Sequence, residues 1–394
     1  MMADTYKPYV SGVTNYIDLN KLYLEKAGHK VFVFTFSEPD HEDDEERIVR
    51  SPGLPLADTG FFLSLRYTRE AKNLLQSMDI VHVHHPFLSG RLALHYCHHK
   101  HIPIVFTNHS RYDMMAQAYL PLLPEEISEG FLQAYMPSFC EAVDLVVSPS
   151  LGMEKVLRKL DVESQIDIVP NGVELTRFIQ AKPLLRADYG FSEGDILLIY
   201  AGRLAPEKNL DFLMLSFAGV LQAIENVRLL LVGDGPMKEE LQNLAMDLQI
   251  TKNVTFTGLI PYDSLPGYLA MCDIFVFASI SETFGLVIVE AMGCGLPVMG
   301  IHSPGVSDII EDERTGLLST RDLPAFTAKL TRLCLQKQFR QKMGKAARKA
   351  SKKYDIELTS QMMLERYEKL ANAPRKPRMD WDDRLLNILE RFRV

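Results

Sequence analysis

Short apolar runs alternate with longer segments of helical period along nearly the whole chain. Lys30–Phe36, Asp79–His84, Ile102–Thr107, Leu145–Ser150 and Ile166–Gly172 read as strands, with helices expected over Val13–Ala27, Leu88–His99 and Ser128–Ala142. The last of these strands ends a first α/β unit. A second alternation runs through Asp195–Tyr200, Val227–Val232, Val254–Phe256, Ile274–Phe277 and Pro297–Met299. Helical patterns then follow over Leu323–Ser351, Glu357–Ala373 and, after a break at Pro374–Pro377, Asp382–Phe392. Strands alternating with helices imply parallel sheets covered on both faces.

At 394 residues the chain exceeds what one core usually holds, so two domains are expected. The polar, glycine-bearing stretch Ala181–Gly194 reads as the linker. The expected organisation is a first domain over 1–180, a second over 181–372 and a helical extension over 373–394 that can pack back on the first. Met1–Tyr6 reads as the end of a strand entering a loop, which is short for a central strand and leaves room for native residues ahead of Met1.

Five cysteines, Cys97, Cys140, Cys272, Cys294 and Cys334, lack paired spacing and sit in apolar or helical contexts. Core packing in a reduced, cytoplasmic setting is expected. No apolar run reaches the length of a membrane span. The net charge of -8 comes from the first 180 residues, the remainder being balanced, and it includes the run Glu42–Glu46. With no basic stripe to neutralise phosphates, nucleic-acid binding is not expected, and general attraction to anionic lipid is weakened.

The segment Ser281–Val298 carries the clearest candidate chemistry. It follows the apolar run Cys272–Ala278 and places Glu282 before a Gly285-led helix start, with Glu290 one helix length on. Free N–H groups at such a start can face phosphates, and each carboxylate can accept hydroxyl hydrogen bonds. A plainer reading makes Glu282 a helix cap and Glu290 a solvated acid. Upstream, Arg203 and Lys208 follow a strand, and a guanidinium fork with an ammonium suits a diphosphate. The alternative is a solvated loop with a Glu207–Lys208 pair. Asp234 lies in a tight glycine turn and can simply close it. Histidines are dense between His82 and His109, and His82 and His84 share a strand face, which raises a metal site; no known compact metal spacing accompanies them. His109 follows a strand and can offer an imidazole to a ligand or be a satisfied loop residue.

Together these segments resemble family 4 of the retaining glycosyltransferases, with further likeness to diacylglycerol glucosyltransferases and other glycolipid-forming members. The residues that carry it are Ser281–Pro297, Gly202–Lys208 and Val169–Val173. The resemblance implies an α/β GT-B fold, two facing Rossmann-like domains with a deep interdomain cleft. It implies transfer of a hexose from a nucleotide diphosphate sugar, a UDP-sugar by preference, to an acceptor hydroxyl on a glycerolipid or on a small soluble molecule. A noncatalytic nucleotide-sugar-binding protein is the remaining alternative.

By the resemblance, Arg203 and Lys208 hold the donor diphosphate, Glu290 the ribose hydroxyls, and Glu282 stands near the transferred sugar. Phe284, Gly285 and Leu286 present their backbone to sugar and phosphate. Gly12 lies in the family's glycine-bearing first loop, here Ser11–Gly12 where a double glycine is frequent, and His109 matches the histidine associated with the hexose. No prosthetic group and no metal are implied, and attack from the front face within a tight ion pair accounts for retention. Partners are the nucleotide sugar and a lipid or small-molecule acceptor. A weak peripheral contact with the inner face of a membrane is allowed for, through Met114, Met115, Tyr119, Leu120, Leu122, Phe131, Leu132, Tyr135 and Met136 or through Arg375–Arg378. The same apolar residues can instead pack the first domain.

Overall fold

The computed structural model describes residues 1–9, 11–38, 41, 43–55, 62–112, 114, 125–374, 381, 385 and 388, with backbone only at 125–128. Met115, Tyr119, Leu120, Leu122, the cluster Arg375–Arg378 and most of the helix expected over 382–392 lie outside them. The chain forms two compact units, one of residues 1–172 with 356–394, the other of residues 173–355.

In the first unit, strands β1 (Val33–Ser37) and β2 (Ile48–Pro52) pair in parallel, and β3 (Leu54–Pro55) pairs antiparallel with β4 (Phe62–Leu63). Strands β5 (Val81–Val83), β6 (Ile104–Thr107), β7 (Leu145–Ser148) and β8 (Ile166–Ile168) form a parallel sheet in that order. Met2 joins the two parallel sets by parallel bridges to Phe34 and Val83, its N–H donating to the His82 carbonyl at 2.7 Å. The short opening strand is therefore central, with β1 on one side and β5 on the other. Apolar side chains on successive strand positions bury Phe34, Phe36, Val83, Ile104 and Phe106 beneath Met136, Phe139 and Trp381.

The second unit is a six-stranded parallel sheet in the order β11 (Val254–Gly258), β10 (Val227–Val232), β9 (Ile196–Ala201), β12 (Ile274–Phe277), β13 (Val298–Ile301), β14 (Gly316–Ser319). The order reverses between β9 and β12. Loops leaving their carboxyl ends diverge to opposite faces there, which opens a crevice suited to ligands. Strands β2 and β14 were not anticipated. The long pattern Leu323–Ser351 is two helices, Leu323–Leu335 and Lys337–Ser351, interrupted at Gln336.

The unit boundaries correct the sequence reading. Ala181–Gly194 is no linker: Leu184 donates to the Gly267 carbonyl, and Arg186 reaches the Met271 and Asp195 carbonyls and the Asp273 carboxylate. The chain instead leaves the first unit after Gly172 and returns at Ile356, so the helix Ile356–Ala371, assigned above to the second domain, packs in the first. It lies along the helix Gly12–Lys26, where Ser360 Oγ meets Asn20 Oδ1 at 3.1 Å. Arg366 also pairs with Asp167 at 2.9 Å. Gly172 is pressed against this helix: a Cβ there would stand 2.7 Å from Ile356 Cα. Further on, Trp381 is 1% exposed and meets Tyr135 and Phe139 edge-on at 5.7 and 6.0 Å. Leu132, Tyr135 and Met136 are likewise interior, so the packing role holds for these three, while Met114 is exposed.

Among the described residues no helix is long and apolar enough to cross a membrane, and no group of three His, Cys, Asp or Glu is arranged to hold a metal ion. The five cysteines form no disulfide, and burial pushes the Cys140, Cys294 and Cys334 thiols up to about 12.

Candidate functional site

The second unit gathers Arg203, Lys208, Glu282, Phe284, Gly285, Leu286 and Glu290. Arg203 and Lys208 follow β9, and Glu282 follows β12, so the two loops flank the point where strand order reverses. Several polar contacts hold the loops together. Asn209, in the left-handed region at φ 55°, donates to the Ala278 carbonyl at 3.2 Å and accepts from Arg321 at 3.0 Å. Ser279 Oγ donates to the Glu207 carbonyl, and Ser303 Oγ to the Ser279 carbonyl, each at 3.2 Å.

Lys208 Nζ reaches Glu282 Oε1 at 2.6 Å, and both side chains are largely shielded from solvent. The alternative pairing of Lys208 with its neighbour Glu207 is not formed. Nor does Glu282 cap the following helix. The cap of Leu286–Gly293 is Gly285, at φ 71° and ψ 58°, with no side-chain hydrogen bond. The Ile288 N–H turns back to the Gly285 carbonyl at 2.9 Å, and the Leu286 and Val287 N–H groups ahead of it are left to an anion or to solvent. Arg203 is exposed and forms no ion pair among the described residues. Phe284 turns inward and packs edge-on to Tyr354 at 5.4 Å, so only its backbone is on offer.

Glu290 is 6% exposed, which excludes the solvated reading. Its Oε1 accepts from Tyr262 at 2.6 Å. Burial raises its pKa to about 7, against the opposing pull of the Tyr262 hydrogen bond and the Arg177 charge. A buried carboxylate with one bond and spare lone pairs is suited to accept further hydroxyl groups. Asp234 closes its own turn, accepting from Gly235 N–H at 2.8 Å and from Lys238 at 2.7 Å.

The first unit holds Gly12 and His109. Gly12 opens the helix Gly12–Lys26, whose cap is Ser11 Oγ accepting from Thr14 N–H at 3.1 Å. Among the described residues, nothing beyond its chain neighbours and its own helix backbone lies within 4 Å of where a Cβ on Gly12 would stand. His109 is buried at the end of β6, edge-on to Tyr16 at 4.7 Å, and its Nε2 lies 3.0 Å from His84 Nδ1. Burial brings its pKa down to about 3 and holds His82 and His84 well below their ordinary value, so all three rings are neutral near pH 7.

Three features escaped the sequence reading. Tyr262 sits 28 positions from Glu290 in a loop with no motif of its own. His84 was visible only as one of a cluster. Gly305, at φ 80°, packs so closely on the acid-bearing loop that a Cβ would stand 2.6 Å from the Thr283 carbonyl carbon. The Ser303–Pro304–Gly305 turn signal could have flagged it.

Comparison with known proteins places this geometry. The family model for Glycosyl transferases group 1 matches residues 181–350, and that for Glycosyltransferase Family 4 matches residues 10–177. Over 339 residues the chain is 32% identical to an alpha-monoglucosyldiacylglycerol synthase of Streptococcus pneumoniae, covering 81% of this chain and 74% of that protein. A synthase of the same name from Acholeplasma laidlawii is 25% identical over 82% of this chain and 84% of its own. The structure of Anabaena HepE in complex with UDP is similar with a TM-score of 0.75 at 18% identity, covering 93% of this chain and 98% of that one.

Proposed function

Because the chain belongs to glycosyltransferase family 4 and has its GT-B fold of two Rossmann-like α/β domains, we propose that it transfers a hexose from a UDP-sugar to an acceptor hydroxyl with retention, the acceptor being a glycerolipid. The observation that carries the reading is the Lys208–Glu282 pair at the reversal of strand order, beside a helix start whose N–H groups are uncapped.

A donor diphosphate arriving there takes Lys208 from Glu282 and recruits the exposed Arg203. The bidentate fork, the ammonium and the helix N–H groups stabilise the negative charge that grows on the departing diphosphate. Glu282, released, accepts hydroxyls of the transferred sugar, and Glu290 accepts those of the ribose. Gly12 offers the donor its backbone, and His109 hydrogen-bonds the hexose. With the leaving group so stabilised, the acceptor attacks from the same face and gives its proton to a departing phosphate oxygen. No metal is needed for that charge.

The glycerolipid acceptor is favoured by two relatives named for alpha-monoglucosyldiacylglycerol synthesis, and the alpha in that name agrees with retention. Such an acceptor implies work at the inner face of a membrane.

The test is a panel of UDP-sugars offered with diacylglycerol in mixed micelles and with soluble acceptors, in chelator, followed by mass analysis and anomeric proton coupling of the product. An α-linked glycolipid formed at full rate in chelator is expected. Product on soluble acceptors alone would move the enzyme to another acceptor class, and strict need for a divalent ion would overturn the metal-free step. His109→Ala should lower transfer far more than donor binding; transfer at the wild-type rate would remove His109 from the reaction.

A further inference from the structure

His82, His84 and His109 form a buried series at the carboxyl ends of β5 and β6, with ring centroids 4.2 Å apart for the first pair and 5.2 Å for the second. His82 is anchored at both nitrogens, Nδ1 by the Tyr367 hydroxyl at 2.5 Å and Nε2 by Thr107 Oγ1 at 2.7 Å. His84 is anchored only once. Its Nδ1 meets His109 Nε2 at 3.0 Å, and its Nε2 is buried without a partner among the described residues.

That single orphan decides where the protons sit. In a contact between two neutral imidazoles one ring donates and the other accepts. If His109 donated, His84 would carry its own proton on Nε2, a buried N–H with nothing to receive it. If His84 donates from Nδ1, its Nε2 is only a bare lone pair, and interiors tolerate an unmet acceptor better than an unmet donor. The second arrangement fills the Nε2 lone pair of His109 and leaves its proton on Nδ1. That nitrogen has no hydrogen bond among the described residues but, unlike His84 Nε2, is not sealed from solvent, so water or a ligand can receive the proton. The burial that keeps all three rings neutral removes the spare proton that would blur this order.

We propose that His84 is a positioning residue that locks His109 in the Nδ1–H tautomer, so that His109 serves the transfer as a hydrogen-bond donor and not as a base. The proposal rests on the reading that His109 meets the transferred hexose. The ligand atom it meets must then bring a lone pair, as a sugar hydroxyl oxygen does, and the acceptor proton must leave by another route.

Nitrogen-15 histidine labelling with long-range proton–nitrogen correlation reads the tautomer directly in the protein without substrate. At neutral pH, His109 and His84 are each expected to be protonated at Nδ1 and bare at Nε2. His84→Asn, whose amide N–H falls near the Nδ1 position, should keep that pattern for His109 and hold kcat within about threefold. His84→Leu removes the donor; His109 should then exchange between tautomers, and kcat should fall about tenfold with little change in donor KM. A wild-type His109 protonated at Nε2 overturns the proposal, as does an unchanged His109 pattern in His84→Leu. The wild-type spectrum needs no variant to fold. It is also independent of the His109→Ala transfer assay, which decides whether His109 meets the sugar.

Discussion

Burial of the Glu290 carboxylate couples its protonation to the stability of the fold. Its folded pKa of about 7 lies above the ordinary 4.5, so between those values the native state holds a proton that the unfolded chain has lost. Stability therefore falls as pH rises through that window, and the cost of ionising Glu290 is fully present above about pH 7. Glu290→Gln keeps an acceptor for Tyr262 and removes the ionisation. Its advantage over the parent should be small near pH 4.5 and grow to on the order of 3 kcal/mol above pH 7. Thermal midpoints of both proteins across that range check it, and an advantage independent of pH would count against it. Ionised Glu290 has more lone pairs to offer, so donor affinity in the wild type should rise through about pH 7, and the Glu290→Gln protein should lose that rise. Titration of UDP binding against pH reads it. At the neighbouring pair, Lys208→Met should lower donor affinity and leave Glu282 a shielded carboxylate without its cation; binding unchanged by more than about twofold would show that the ammonium does not reach the diphosphate.

At the scale of elements, the acid-bearing loop before Leu286–Gly293 is shaped from outside by Gly305. Gly305→Ala combines a left-handed backbone with a Cβ inside contact distance of Thr283, so it should displace Glu282. A stability loss of about 1–3 kcal/mol is expected, with donor affinity reduced although no ligand-facing side chain has changed. Calorimetry and a donor titration measure the two effects, and a Gly305→Ala protein with wild-type values of both would dismiss the role. The sequence made the alternation of strands and helices legible because period and composition are local properties. It also exposed Arg203, Lys208, Glu282 and Glu290, which cluster in two short motifs. What it hid was tertiary. Ala181–Gly194 has the polarity of a linker, yet Arg186 finds three backbone or carboxylate partners that no local pattern could announce. The helix Ile356–Ala371 shows an apolar stripe, but a stripe does not say which core it joins. Tyr262 and His84 have partners distant in sequence, which no local pattern announces.

In the whole molecule the two units carry separate cores, one centred on Phe34, Phe106 and Phe139, the other on Leu198, Phe217 and Phe275. Unfolding should not be a single all-or-none step. UDP in excess should raise the transition of the unit that holds Lys208 and Glu290 by about 2.7 kcal/mol at a hundredfold excess over Kd. Differential scanning calorimetry with and without UDP would reveal it, and a uniform shift of one transition would argue for tighter coupling. The net charge of -8 leaves any membrane contact to local apolar or basic groups.

The double crossing of the chain at Gly172 and Ile356 has a consequence for modularity. Val173 and Asp355 form a parallel bridge, and the Val173 N–H donates to the Tyr354 carbonyl at 2.9 Å, so the second unit begins and ends at one place. It is a cassette entered and left through a single doorway. A fragment of residues 173–355 should be expressible by itself and retain UDP affinity. The first unit should be closable by a short turn from Gly172 to Ile356, ready to receive the donor cassette of another transferase at the same seam.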